Sequence, residues 1–316
     1  MESKIRIAVI GVGHLGRFHA QKYAALPQCT LQAVVDRDAK RLQAVSQEVS
    51  APGFERFEEI LDRVDAVSIA VPTPAHYEVA KACLQAGKHV LVEKPLAGTS
   101  VEGQELVTLA GRKQVVLQVG YLERFNPAFL ACRPLIRMPH YIESLRIHSF
   151  LERGSDVDVV LDLMSHDLDL VLAMVRSPVR HLHAVGLSLM TQRTDLANVR
   201  LIFENGTVAN LTASRISRKA ERKMRLFQKD SYLSLDLALP GAKVYSVAPP
   251  APDHPPVNVA EEVLDVKKGD ALLMEIQSFL DSIATGKPPA VSGEEGLKAM
   301  IVAEQIIRDI ADNRIP

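Results

Sequence analysis

Three glycines in Gly11-Val12-Gly13-His14-Leu15-Gly16 follow directly on the apolar run Ile5 to Ile10 and precede a helix-like stretch from Arg17. At a strand-to-helix junction each has a separate use. Gly11 allows the tight turn, Gly13 lets a diphosphate approach the backbone, and Gly16 lets helix and strand pack closely, with phosphates facing a helix N-terminus. The spacing alone also fits a structural glycine-rich turn without a ligand. A second feature favours the ligand: Asp36 follows the next apolar run, Leu31 to Val35, where a carboxylate accepts hydrogen bonds from two ribose hydroxyls. Together these predict a dinucleotide site, with His14 and Leu15 counted among its contacts. Asp36 repels a 2′-phosphate, which favours NAD over NADP, although the adjacent Arg37 can offset that repulsion.

Val71-Pro72-Thr73-Pro74-Ala75-His76 and Val92-Glu93-Lys94-Pro95 end the next two apolar runs. Ligands of open parallel sheets lie beyond the carboxyl ends of the strands, so Pro72, Thr73, His76, Glu93 and Lys94 are expected at the cofactor. A capping or merely exposed ring is an equal alternative for His76. Pro95 constrains the chain just beyond Lys94, so the lysine can reach the nicotinamide edge; an exposed surface lysine is the alternative. Farther on, Asp162, His166 and Asp169 stand at i, i+4 and i+7 and are expected on one helix face, where carboxylate and imidazole can meet. Such a pair can take a proton from a hydroxyl, and it is equally a common solvated helix contact. One histidine with carboxylates on one helix, and no cysteine cluster, gives no zinc set, and no metal is predicted.

The elements that must position these residues fall into two patterns. Up to about residue 120, Ile5 to Ile10, Leu31 to Val35, Ala66 to Val71, His89 to Val92 and Val115 to Val119 read as buried strands separated by helical stretches, which predicts a doubly wound parallel sheet. After residue 123 come Ile142 to Phe150, Val179 to Leu189, Asn198 to Phe203, Val208 to Ser214, Met224 to Gln228 and Tyr232 to Asp236, with Glu204-Asn205-Gly206-Thr207 as a hairpin turn. These predict a mostly antiparallel sheet, with helices around Val157 to Val175 and Gly293 to Asp312. The expected fold is α/β: a dinucleotide-binding Rossmann domain over 1–122 and an α+β substrate and oligomerisation domain over 123–316. Ala248 to Pro256 reads as an extended surface loop.

With 37 Lys and Arg against 38 Asp and Glu, no global attraction to nucleic acid or anionic membrane is expected. The run Arg215 to Arg225 can line a nucleotide diphosphate site, but a solvated strand or an oligomer contact is the better reading; it is too short and too poor in aromatics for nucleic acid. Cys29, Cys83 and Cys132 lack CxxC spacing and read as reduced, buried thiols. The opening Met-Glu-Ser-Lys shows no export signal and no apolar run approaches a membrane span, so a cytoplasmic location is expected.

The glycine loop, Thr73-Pro74-Ala75-His76, Glu93-Lys94-Pro95 and Asp162-Leu163-Met164-Ser165-His166, in this order and spacing, resemble the glucose-fructose oxidoreductase, inositol dehydrogenase and MocA family. Within it, Gly120 to Pro127 and Leu161 to Asp169 are similar to the branch of UDP-N-acetylglucosamine 3-dehydrogenases, with Met164 where that branch commonly has glycine. The resemblance implies NAD-dependent oxidation of a secondary alcohol of a sugar or nucleotide sugar, and for the branch a 3-keto nucleotide sugar leading to 3-amino sugars of lipid A or surface polysaccharide. It implies His166 as acid/base, Lys94 on the reacting oxygen, Asp162 orienting or tuning the pair, and Arg124 and Asn126 as substrate contacts. A linker with ordinary surface residues is the alternative for the last two. It also implies a homodimer or homotetramer, since an uncovered antiparallel sheet leaves a large exposed face. A dehydrogenase of a free sugar, polyol or inositol and a non-catalytic NAD-binding regulator are the competing readings.

Overall fold

The computed structural model describes residues 4–150, 157–247 and 259–313, so the loop expected over Ala248 to Pro256 lies outside the described residues. The chain forms two compact units, Met1–Leu122 with Leu272–Met300, and Glu123–Ala271 with Ile301–Pro316.

In the first unit β1 (Ile5–Ile10), α1 (His14–Ala25), β2 (Cys29–Val35), α2 (Ala39–Val49), β3 (Gly53–Phe54), β4 (Ala66–Ile69), α3 (His76–Gln85), β5 (His89–Glu93), α4 (Ser100–Lys113) and β6 (Leu117–Gly120) alternate. The strands make one six-stranded sheet in the order β3-β2-β1-β4-β5-β6, every pair parallel. β4 is buried along its whole length, which is why its sequence is continuously apolar rather than alternating. The order reverses at β1 and β4, where open sheets of this kind leave a crevice for a ligand. α2 starts under the Asp38 carboxylate, which accepts from Arg41 N, and α4 under a Thr99 and Glu102 capping box.

The second unit contains α5 (Pro127–Cys132), β7 (Tyr141–Ile147), α6 (Ser165–Val175), β8 (Val179–Leu187), β9 (Leu196–Phe203), β10 (Val208–Ser214), β11 (Glu221–Phe227), β12 (Ser231–Asp236), β13 (Gly241–Val247) and β14 (Val259–Val263). Its eight strands run β14-β13-β12-β11-β7-β10-β9-β8, with β7 and β10 parallel and the other pairs antiparallel. Ile142, Leu211, Met224 and Leu233 face one shared core with Leu168 and Val171 of α6. The last helices are α7 (Ala271–Thr285) and α8 (Gly293–Asp312).

Four differences from the sequence reading have physical causes. The boundary at 122 and 123 is not the last crossing, because residues 272–300 return to the first unit. There Leu272, Ile276, Phe279 and Leu280 of α7 share a core with Ile7, Val9 and Tyr23. Each such side chain contributes about 1.5–3 kcal/mol when fully buried, while the entropy of a long connection grows only logarithmically. The 204–207 hairpin closes with positive φ at Gly206 only, Gly206 N and Phe203 N donating to Phe203 O and Thr207 O, which is a longer turn than the two-residue type. The helix expected over Val157 to Val175 is a π-helix over Val160–Met164 before α6 proper. Finally, β13 and β14 were hidden: β14 is Val-Ala-Glu-Glu-Val, an exposed edge strand whose acids mask its pattern.

Candidate active site

The glycine loop performs three separate jobs. Gly11 has φ +84°, and a Cβ there would stand 2.8 Å from the Ala70 backbone. A Cβ on Gly16 would stand 1.8 Å from Gly11 O, so only glycine lets α1 sit this close to the loop. Gly13 has nothing nearer than Arg41 Nη1 at 3.9 Å, leaving its backbone open. α1 begins after Gly13 with no side-chain cap and no acid in its first turn, so its N-terminal amides point at open space suited to a diphosphate. A cleft of about 1010 Å³ opens here, lined by Gly13, His14, Arg17, Arg41 and Glu48 among others. The exposed His14 packs edge-on against Phe18, and Leu15 is half-buried behind it.

Asp36 ends β2 and is tied down on both oxygens. Oδ2 accepts from Val12 N at 3.0 Å and from Arg41 Nη1 at 3.2 Å, and Oδ1 from Asp38 N at 2.9 Å. The cation that meets Asp36 is therefore Arg41 on α2, which the sequence reading missed; Arg37, expected to offset the repulsion of a 2′-phosphate, is exposed. The glycine cradle, the open amides and the carboxylate at the end of β2 together fit a dinucleotide.

The other strand ends depart from expectation in an informative way. Pro72 is exposed and Thr73 half-buried, in a short 3₁₀ turn after β4. His76 is 1% exposed, with Nδ1 2.7 Å from Pro95 O and Nε2 2.9 Å from Val71 O, so both ring nitrogens meet the backbone. Glu93 likewise turns inward: Oε1 lies 2.9 Å from His19 Nε2, and Gly120 makes room for the carboxylate, since a Cβ there would meet Glu93 Cδ at 2.9 Å. Lys94 is half-buried between them in sequence, and its bond to Pro95 is cis. His19 was missed because nothing in its sequence neighbourhood names a partner. Ligand atoms of His19, Glu93 and Glu275 lie within 4.8 Å of one another, a cation-type grouping spread over residues 19, 93 and 275 that no spacing rule detects.

In the second unit Asp162 and His166 are half-exposed, whereas Asp169 is buried. The three expected on one helix face thus differ in exposure. Arg124 makes a bidentate pair with Asp169, Nε to Oδ2 at 2.6 Å and Nη2 to Oδ1 at 2.9 Å. Asn126 caps α5 by accepting from Ala128 N, and its amide donates to Glu123 and to Leu237 O. The structure gives both residues partners within the protein. Next to them Arg146, missed from sequence, is fully buried between Asp167 and Glu123 at 2.7 and 2.8 Å. Burial works against its charge, but the two carboxylates outweigh it and hold the guanidinium above its ordinary value.

The basic run also divides. Arg215 is buried and donates to Val157 O and Thr194 O, while Lys223 and Arg225 are exposed on β11 and pair with Glu221 and Glu143. Burial pushes the Cys29 thiol up to about 11 and those of Cys83 and Cys132 to about 12, so all three stay protonated at neutral pH. No helix among the described residues is long and apolar enough to cross a membrane.

Residues 5–121 match the model of the Gfo/Idh/MocA oxidoreductases with an NAD-binding Rossmann fold, and residues 140–231 match that family's C-terminal domain. The chain is also 40% identical over 304 residues, 96% of each protein, to a UDP-N-acetylglucosamine 3-dehydrogenase of Acidithiobacillus ferrooxidans. It belongs to the Gfo/Idh/MocA family. As a member it is an NAD-binding oxidoreductase. The solved structure of the A. ferrooxidans UDP-N-acetylglucosamine 3-dehydrogenase superposes with a TM-score of 0.92 at 38% identity, covering 98% of this chain and 99% of that one. A myo-inositol 2-dehydrogenase of Thermotoga maritima is 24% identical over 98% of this chain and 97% of its own.

Proposed function

We propose that the protein oxidises the 3-hydroxyl of UDP-N-acetylglucosamine to a 3-keto nucleotide sugar, with NAD as cofactor. The observation that carries this reading is the 40% identity over 96% of both chains to an enzyme of that name. Supporting it, Asp36 offers a carboxylate where a 2′-phosphate would be repelled, which favours NAD over NADP. Bound NAD supplies the acceptor for the hydride that leaves the carbinol carbon. Lys94 hydrogen-bonds the reacting oxygen and favours the negative charge that develops on it. His166 receives the hydroxyl proton, and Asp162, four residues earlier and also half-exposed, orients the imidazole. The product suits a pathway to 3-amino sugars of lipid A or surface polysaccharide in the cytoplasm.

The face of the eight-stranded sheet opposite its core carries a row of Tyr141, Phe227, Tyr232 and Tyr245 across four strands, with centroids 5.7, 5.2 and 4.3 Å apart. An aromatic row of this kind favours pairing with a second copy, so the proposal includes a homodimer or homotetramer. Light scattering tests that part, and a monomer at micromolar concentration contradicts it.

Cofactor reduction by absorbance, with NAD and UDP-N-acetylglucosamine beside myo-inositol and glucose, tests the function. Turnover of the UDP-sugar alone is expected. Turnover of inositol instead moves the assignment to a polyol dehydrogenase, and NAD binding with no turnover of any sugar favours a regulatory role.

A further inference from the structure

Two buried histidines from different helices meet the Glu93-Lys94-Pro95 turn on either side of the lysine. His19, in the second turn of α1, is fully buried; its Nε2 lies 2.9 Å from Glu93 Oε1 and its Nδ1 2.8 Å from Ser68 Oγ on β4. Tyr23, one turn farther along α1, is buried beside the same groups. Burial raises the pKa of its hydroxyl. On the other side, His76 places both ring nitrogens against carbonyl oxygens, those of Pro95 and Val71. A carbonyl oxygen only accepts, so in a neutral tautomer the ring donates to one of the two.

These bonds fall on residues 93 and 95 and tie the turn to β4 from below and to the start of α3 from the side. A lysine side chain is long and flexible, so its reach is set by where its backbone is anchored. A displacement of about 1 Å at a reacting group can cost on the order of a hundredfold in rate, and groups that act on a reacting atom are held by neighbours whose own positions are locked. We propose that His19 and His76 are positioning residues for Lys94, acting through Glu93 and Pro95. This rests on the reading that Lys94 acts on the reacting oxygen. His19 stands three residues after Gly16, so the helix that offers its N-terminus to the cofactor also carries the support for the turn that bears Lys94.

The test uses the full chain and a matched pair of variants. In His19→Asn the amide reaches about as far as Nδ1 and keeps Ser68, whereas in His19→Gln it reaches about as far as Nε2 and keeps Glu93. With NAD and UDP-N-acetylglucosamine, His19→Asn is expected to lose at least about tenfold in kcat with its Kd for NAD within about twofold of wild type, and His19→Gln to retain most of the rate. Gly120→Ala, which presses on the Glu93 carboxylate while leaving both histidines in place in the sequence, is expected to share the kcat defect, and His76→Gln to lose kcat severalfold. A readout independent of turnover is the acylation rate of Lys94 in cofactor-free protein, followed by mass spectrometry. It is expected to change severalfold in His19→Asn and not in His19→Gln.

Equal kcat and equal Lys94 labelling in the Asn and Gln variants, whatever their thermal midpoints, overturns the inference, since a merely structural histidine would not separate them. Wild-type activity in Lys94→Ala overturns the reading of Lys94 and this inference with it. An inactive Lys94→Ala beside His19→Asn with wild-type kcat and labelling overturns the inference alone.

Discussion

The turn that carries Lys94 and the helix that carries His166 are supported by different physics. Around Glu93-Lys94-Pro95 the supports are imidazole rings on a carboxylate, a hydroxyl and two backbone carbonyls, and the Glu93 side chain keeps 13% of its exposure. Around α6 the supports are ion pairs on buried acids: Asp167 and Asp169 are 2% and 1% exposed, held by Arg146 and Arg124. A lost hydrogen bond at the turn leaves Glu93, whose side chain is 13% exposed, with partial access to water. A broken pair under α6 strands a buried charge. Alterations beside the turn should therefore appear in rate, and those under α6 in stability.

The largest expected effect is on rate. Lys94→Ala and His166→Ala should each lower kcat by about 10²–10⁴ with little change in thermal midpoint, measured by turnover and calorimetry side by side. Next, Arg146→Met should cost about 3–5 kcal/mol in urea unfolding, because Asp167 and Glu123 lose their shared cation. The comparison breaks if Arg146→Met loses rate at full stability. A smaller effect is expected at Asp36→Ala, with the KM for NAD rising roughly tenfold as a charge-assisted hydrogen bond worth about 1.5–3 kcal/mol is removed, and the KM for NADP falling as the repulsion of its 2′-phosphate is relieved.

Much of this was open to a reader of the sequence where one local segment carries both the residue and its reason. The glycine loop, β10 over Val208–Ser214 and α8 over Gly293–Asp312 are such cases, each with a period or spacing complete within itself. α7 had the same quality, with Leu272, Ile276, Phe279 and Leu280 at helical spacing, but its destination in the first unit depends on partners more than two hundred residues away. Side-chain roles were the harder part. His76 and Glu93 were read as ligand contacts from their places at strand ends, and Arg124 and Asn126 from the family resemblance; the partners each has within the protein were not foreseen. His19, Arg41, Glu123 and Arg146 carried no local mark, because a buried polar residue looks like a surface one until its partner is in view.

Two finer effects sharpen the contrast between polar support and simple burial. His89 accepts from Val116 N through Nδ1, and burial, partly opposed by Asp65, lowers its pKa. Its contribution to stability is therefore present above the unfolded histidine value and lost as pH falls through the lower folded one. Unfolding free energy measured across that acid window should decline less in His89→Gln than in wild type. The three thiols shift the other way: their folded pKa values are raised, so their contribution holds below the unfolded thiol value and fades as pH climbs toward 11 and 12. At neutral pH a maleimide should label none of Cys29, Cys83 and Cys132 in the folded protein and all three after denaturation.

The most direct measurement follows one hydrogen. UDP-N-acetylglucosamine carrying deuterium at C3 of the sugar, incubated with the protein and NAD, should give reduced cofactor bearing that deuterium by mass spectrometry, together with a slowed rate. Substrate labelled at C4 should give none. Deuterium retained in the sugar while cofactor is reduced, or transfer from C4 instead of C3, would contradict the assignment of this chain as a nucleotide-sugar 3-dehydrogenase.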